Sequence, residues 1–229
     1  MSFFSKELGI DLGTMNTRLA DNTQVLVNEP TIVAIEVNDE KGTEKLVSVG
    51  QEALNMFGRV PDNIEVARPL KNGVIADYVV TESLLAYLLQ RVSGSMRIFR
   101  PRVMISVPYG VTSVERRAVY EAALEAGSRE VHLIQQTLAA ALGIDLPIGA
   151  PSGNMVISLG GGATEASVMA MYGIVSAETL RAGGLDFDEA IITYVRRQYG
   201  VLIGQATAEQ LKIRIGAAVP QDQEQSMEV

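Results

Sequence analysis

The stretch "VISLGGGATEASV", residues 156–168, decides how this chain is read. An apolar strand runs into three consecutive glycines, and a second strand returns. Without a Cβ in the way, backbone N–H groups in such a turn can close around an anion. A second stretch, "LGIDLGTMNTRLA" (8–20), follows the same plan: apolar strand, one polar residue, Leu-Gly, a tight turn and a returning strand. Asp11-Leu12-Gly13 lies over Ser158-Leu159-Gly160. One glycine-rich turn is weak evidence, since most are only turns. Two of them, one per half, predict hairpins that face each other across a cleft and hold a polyphosphate between their amides. Gly13, Thr14, Met15 and Asn16 on one side, with Gly160, Gly161 and Gly162 on the other, are the candidate phosphate-binding residues. Asp11 is the candidate to hold, through water, the Mg2+ that accompanies the phosphates.

The bulk properties narrow the class. A chain of 229 residues suffices for one large or two small domains. It has no cysteine and a single histidine, His132, which excludes disulfides, thiolate metal sites and the usual multi-histidine zinc sets. A net charge of −8 argues against nucleic acid as a partner. No apolar run approaches the roughly 20 residues of a membrane span. "MSFFSKE" lacks the apolar core of a signal peptide. The expectation is a soluble, intracellular, globular chain.

Strands alternate with helices along it. "ELGIDLG", "QVLVNEPTIVAIEV", "KLVSVG", "RPRVMISVP", "VHLI", "NMVISLG" and "MYGIVSAETL" read as strands. "TESLLAYLLQRV" has helical spacing with Thr81 or a neighbour as its cap. "TSVERRAVYEAALEAG" carries a capping box, Thr112 with Glu115, and Gly127 as its stop. "QQTLAAALG", "DFDEAIITYVRRQYG" and "TAEQLKIRIG" complete the helices. The pattern predicts an α/β fold with mixed sheets. Glu165 and Asp186 are expected to serve turn and cap geometry, and His132, within an apolar strand, a structural role.

These residues resemble the actin-like ATPases, and among them the MreB family of bacterial rod-shape determinants. The resemblance rests on "GIDLGTMNT", "VNEPTIVAI", "RPLKNGVIADY", "RPRVMISVPYGVTSVERRAV", "EAGSREVHLI", "GNMVISLGGGATE", "GGLDFDEAIITYVRRQYG" and "IGQATAEQLKIRIG", in family order across nearly the whole chain. It implies an actin-like (ribonuclease H-like) two-domain ATPase fold around an ATP cleft. Residues 1–149 would form the first domain, with a small subdomain inserted at about 32–78. Residues 150–229 would form a partial second domain, with its small subdomain from about 183. The family continues beyond the last residue of this sequence, so a C-terminally incomplete second domain is the expectation.

The resemblance also marks departures at the nucleotide site. It implies an aspartate where Ser158 stands, a glutamate at the water-positioning Gln136, a proline at Thr137 and an aspartate at Leu185. Actin itself carries glutamine at the place of Gln136. Losing a general base typically costs about 100- to 10,000-fold in rate, so hydrolysis is expected to be impaired while ATP and Mg2+ binding survives. Glu209 and Lys212 are placed near the ribose and adenine by the family, although a surface ion pair on one helix face accounts for them equally.

The loop "SGSMRIFRPR" (93–102) sets Met96, Ile98 and Phe99 among arginines, suiting an anionic bilayer surface, and Phe3 and Phe4 beside Lys6 add a short apolar tip. The family uses a loop at this place for membrane contact. The function so implied is a filament-forming cytoskeletal protein at the inner face of the cell membrane. Its partners would be further copies of itself or full-length MreB, the membrane surface and the cell-wall elongation membrane proteins. A non-polymerising paralogue or truncated remnant that caps or regulates full-length filaments is the alternative. A sugar kinase would need a substrate base, and a chaperone ATPase a substrate-binding domain, for which no motif stands in the sequence.

Overall fold

The computed structural model describes residues 6–38, 43–93, 100–223 and 225–228. Met96, Ile98, Phe99, Phe3 and Phe4 lie outside the described residues.

The first strand, β1 (Glu7–Leu12), alternates exposed and buried positions, with Leu8, Ile10 and Leu12 turned inward. It pairs antiparallel with β2 (Asn16–Ala20), and β2 pairs with β3 (Val25–Pro30). The continuous apolar reading of residues 24–37 divides here. Thr31 and Ile32 interrupt it, and β4 (Val33–Asn38) leaves for a second sheet, where it lies between β5 (Thr43–Val49) and β6 (Ile64–Ala67). The short helix α1 (Gln51–Met56) packs Ala53 against Ala34 of that small sheet and Ile32 just before it. A two-residue hairpin, β7 (Leu70–Lys71) and β8 (Val74–Ile75), turns through Asn72 and Gly73 at φ of 52° and 80°. Asn and Gly are the residues that tolerate two consecutive positive φ values.

Helix α2 (Tyr78–Ser93) begins earlier than its periodicity suggested. Asp77 caps it, accepting the Val80 N–H at 3.0 Å, while Thr81 lies buried inside the first turn. Strand β9 (Arg102–Val107) pairs parallel with β1. Helix α3 (Ser113–Glu125) starts at the Thr112–Glu115 capping box and ends before Gly127, whose φ is 110°. Strand β10 (Glu130–Gln135) completes a five-stranded sheet in the order β10-β9-β1-β2-β3. Leu84, Leu85 and Leu88 of α2 and Ala122 and Ala123 of α3 bury one face of it. The other face is only partly covered. That is why His132 is half-exposed beside Glu130, 2.9 Å away, rather than in the core its neighbours imply.

The second lobe is smaller. Helix α4 (Gln136–Gly143) leads to β11 (Asn154–Leu159), β12 (Thr164–Ala170) and β13 (Gly173–Leu180), an antiparallel sheet in that order. Ala141, Ile148 and Met169 form its core. On the opposite face Met155, Ile157 and Leu159 are 59%, 59% and 80% exposed, an uncharged ladder on an edge strand. Helices α5 (Gly184–Tyr199) and α6 (Gln205–Ile215) pack against each other. No described helix is long and apolar enough to cross a membrane.

Candidate functional site

The two glycine turns have the same backbone geometry. In the first, between β1 and β2, the Gly13 N–H donates to the Asn16 carbonyl at 3.2 Å; in the second, between β11 and β12, the Gly160 N–H donates to the Ala163 carbonyl at 2.9 Å. A Cβ at Gly13 would stand 2.7 Å from the Asn16 oxygen, and one at Gly160 would stand 2.8 Å from the Ala163 oxygen. Each turn therefore requires glycine at its first position for the same reason. The sequence repeat is a repeat of structure.

The turns touch. Gly161 faces Met15 and Gly162 faces Thr14, so closely that a Cβ at Gly162 would lie 3.0 Å from the Thr14 Cβ. Thr14 is 5% exposed, and its hydroxyl accepts the N–H of Gly73, the tip of the β7–β8 hairpin, at 3.0 Å. The start of α5 holds the second turn from behind: the Gly184 and Leu185 N–H groups donate to the Gly160 and Gly161 carbonyls, each at 2.9 Å. Leu185 thus serves through its backbone. The Asp186 carboxylate closes the same helix start by accepting the Gly183 N–H at 2.7 Å, a cap role as expected. With the carbonyls engaged, the N–H groups of Thr14, Met15, Gly161 and Gly162 have no hydrogen-bond acceptor among the described residues. They border a cavity of about 220 Å3 that Asp11, Asn16 and Gln136 also line.

Asp11 is engaged on both oxygens. Ser106 donates its hydroxyl at 3.1 Å, and Arg18, its register partner across β1 and β2, pairs at 3.2 Å. The pair is well exposed, so solvent screens it and a divalent cation can displace Arg18 at small cost. No group of three or more acidic, histidine or cysteine side chains gathers into a metal site among the described residues. A single carboxylate of this kind fits Mg2+ held mainly by phosphate and water, not a protein cage. Gln136, the first residue of α4, lines a larger apolar groove together with Asp11 and Ser158, so three sequence-predicted positions converge. Ser158 brings no charge there. Thr137 is buried with its hydroxyl 2.7 Å from that of Ser167, tying α4 to β12.

Glu209 and Lys212 do not pair with each other. Lys212 donates to the Gly184 carbonyl at 2.8 Å and pairs at 2.7 Å with Asp188, which is 1% exposed. It braces α6 against the helix start that supports the glycine turn. Arg68 escaped the sequence reading, and Glu165, expected to serve turn geometry, instead lies buried and bonded to the loop at Tyr109 and to β13. Arg68 reaches the Met15 and Thr31 carbonyls at 3.4 Å; burial lowers its proton affinity, partly offset by the nearby charges of Glu209 and Asp188. Glu165 is 2% exposed, and burial pushes its carboxyl above the usual range despite the bonds it accepts from the Tyr109 N–H and the Thr179 hydroxyl. The Arg-Pro pair before the β7–β8 turn was a visible signal for Arg68; nothing local marked the burial of Glu165.

A family model for the MreB/Mbl protein matches residues 5–229. The cell shape-determining protein MreB of Escherichia coli K12 is 48% identical over 228 residues, covering 99% of this chain and 66% of the relative. The cell shape-determining protein Mbl of Bacillus subtilis 168 is 40% identical over 218 residues, covering 95% and 64%. The crystal structure of MreB5 of Spiroplasma citri bound to ADP superposes with a TM-score of 0.86 at 32% identity, over 97% of this chain and 66% of that one. The MamK double helical filament gives 0.74 at 19% identity, over 91% and 64%, a likeness of fold alone. The architecture is the actin-like α/β fold, and the chain spans just under two thirds of the length of these relatives.

Proposed function

The chain belongs to the MreB/Mbl family, and from that premise we propose that it is an ATP-binding actin homologue that assembles into filaments and acts in cell-shape determination, with its hydrolytic step impaired. The observation that carries this reading is the pair of matched turns whose four N–H groups have no acceptor among the described residues and belong to residues that border one cavity. Amides so disposed bind phosphate oxygens without a side-chain charge. MreB5 of Spiroplasma citri is solved with ADP and with AMPPNP, which supports a nucleotide in the corresponding cleft here.

In this reading the turn amides would hold the phosphates and Asp11 would hold the hydrated Mg2+, which would neutralise phosphate charge. Gln136 orients a water by hydrogen bonding but cannot take its proton at neutral pH. Ser158 adds neither charge nor base. Lys212 and Glu209 would border the nucleotide from α6. We divide the chain into lobes at about residue 150, with Ala141 of α4 and Ile148, before that point, packed onto Met169 of the second lobe, and with small subdomains at about 32–78 and from about 183. Self-association is what the resemblance to the actin-like family implies. Contact with the inner membrane face through Met96, Ile98 and Phe99, and with cell-wall elongation proteins, is proposed on sequence alone; liposome flotation of a Phe99→Ser variant checks the former.

The deciding experiment is a Mg-ATP titration of the natural chain beside Ser158→Asp, with phosphate release followed in parallel. Saturable binding by both, with release only in the variant, is the expected result. Absence of binding by either overturns the nucleotide reading.

A further inference from the structure

The lobes also meet outside the phosphate cavity, where one peptide of the first lobe is gripped by two side chains of the second. The Tyr109 N–H donates to Glu165 Oε1, and the Tyr109 carbonyl accepts the Thr179 hydroxyl at 2.9 Å. Glu165 and Thr179 are register partners on β12 and β13, so they present their oxygens side by side as a strand edge would. Two residues on, Arg181 pairs with Glu115 at 2.9 Å, joining β13 to the cap of α3. These contacts bind the lobes through the loop between β9 and α3.

Glu165 is the unusual member. Its Oε2 is buried without a hydrogen-bond partner among the described residues. An ionised carboxylate in that position leaves an unsolvated oxygen, whereas a protonated one is neutral and tolerated. Among the described residues, the groups around it supply no compensating charge. Ser158 on β11 and Ser167 on β12, with Thr137 on α4, are neutral. On β13 Thr179 is neutral, Glu178 belongs to the opposite face, and Arg181 is committed to Glu115 at the rim. From the loop only the backbone of Tyr109 reaches it, and its phenol is part-exposed.

We propose that Glu165, Thr179 and the Tyr109 peptide form a latch between the two lobes that a proton on Glu165 holds shut. Ionisation gives Oε2 a demand for water that the closed arrangement cannot meet, and parting the lobes meets it. The sign follows from linkage. Burial raises the carboxyl's pKa in the latched state, so latching is fully favoured below the ordinary carboxylate range and is lost as pH rises through the raised value. The latch uses no nucleotide, so its test stands whether or not ATP binds.

The absence of cysteine makes the test direct. Spin labels on Tyr120→Cys of α3 and Tyr194→Cys of α5, both exposed positions on different lobes, report the inter-lobe distance by pulsed EPR. Between about pH 5 and about pH 8, the parent should shift from one narrow distance population to a broader or longer one. Glu165→Gln should stay narrow throughout, and Thr179→Val should be broad throughout. A pH-independent parent, or Glu165→Gln tracking the parent's pH curve, overturns the proposal. If Glu165→Gln does not fold by circular dichroism, an unchanged narrow distance in Thr179→Val does so instead.

Discussion

Gly161 and Met15 face each other across the cleft so closely that a Cβ added at Gly161 would lie 3.0 Å from the Met15 Cβ and still nearer its side-chain stem. The two turns are a packed interface as well as an anion cradle. Gly161→Ala should cost about 1–3 kcal/mol, as overpacking does. Met15→Ala in the same chain should recover part of that loss. A double-mutant cycle by urea unfolding measures the coupling; strictly additive effects would mean the turns do not touch in solution.

Ser158 and Glu165 are register partners on β11 and β12. Ser158→Asp would place a second carboxylate beside one that burial already holds high. Like charges disfavour joint ionisation, so the variant should lose stability relative to the parent increasingly as pH rises from about 5 to about 8. Urea midpoints across that range show it.

Glu115 contributes with the opposite sign. The Thr112 backbone N–H, and then Arg181 and the Thr112 hydroxyl, hold its carboxyl below the usual range. Its stabilisation is present above the ordinary carboxylate pKa and disappears as pH falls through the depressed value. Glu115→Gln should flatten the acid limb of the stability profile, whereas Glu165→Gln should flatten the limb at higher pH.

Thr137 holds the place where relatives' sequence resemblance implies proline, and its buried hydroxyl pairs with Ser167. Thr137→Val should cost about 1–3 kcal/mol by leaving the Ser167 hydroxyl unpaired. Thr137→Val with Ser167→Ala should cost less than Thr137→Val alone, measured by thermal unfolding.

Arg18 competes with any cation for Asp11. On the nucleotide reading, Arg18→Gln should tighten the Mg2+ dependence of ATP binding several-fold, read by titrating Mg2+ at fixed ATP. An unchanged Mg2+ midpoint would place the metal elsewhere.

The parts legible in the sequence were those set by local rules. The Gly13 and Gly160 turns repeat because each backbone closes on a carbonyl three residues ahead, which only glycine permits. The Thr112–Glu115 box is likewise written within four residues. Strands β6, β7 and β8, of four, two and two residues, are too short to show a period, and α1 at six residues is no better. The half exposure of His132 follows from β10 lying at a sheet edge with one face only partly covered, which no alternation within the strand reveals. The contacts of Arg68 with the Met15 and Thr31 carbonyls and of Glu165 with the Tyr109 N–H span 37 to 56 positions in the chain, beyond the reach of any local pattern.

The uncharged ladder of Met155, Ile157 and Leu159 also governs how the purified chain behaves in a tube. A net charge of −8 should keep separate molecules dispersed at low ionic strength. Salt shortens that repulsion to about 8 Å near 0.15 M, while leaving the adhesive edge of β11 untouched. Colloidal behaviour should therefore invert the usual laboratory habit: dilute buffer preserves the sample, and added salt drives it to aggregate.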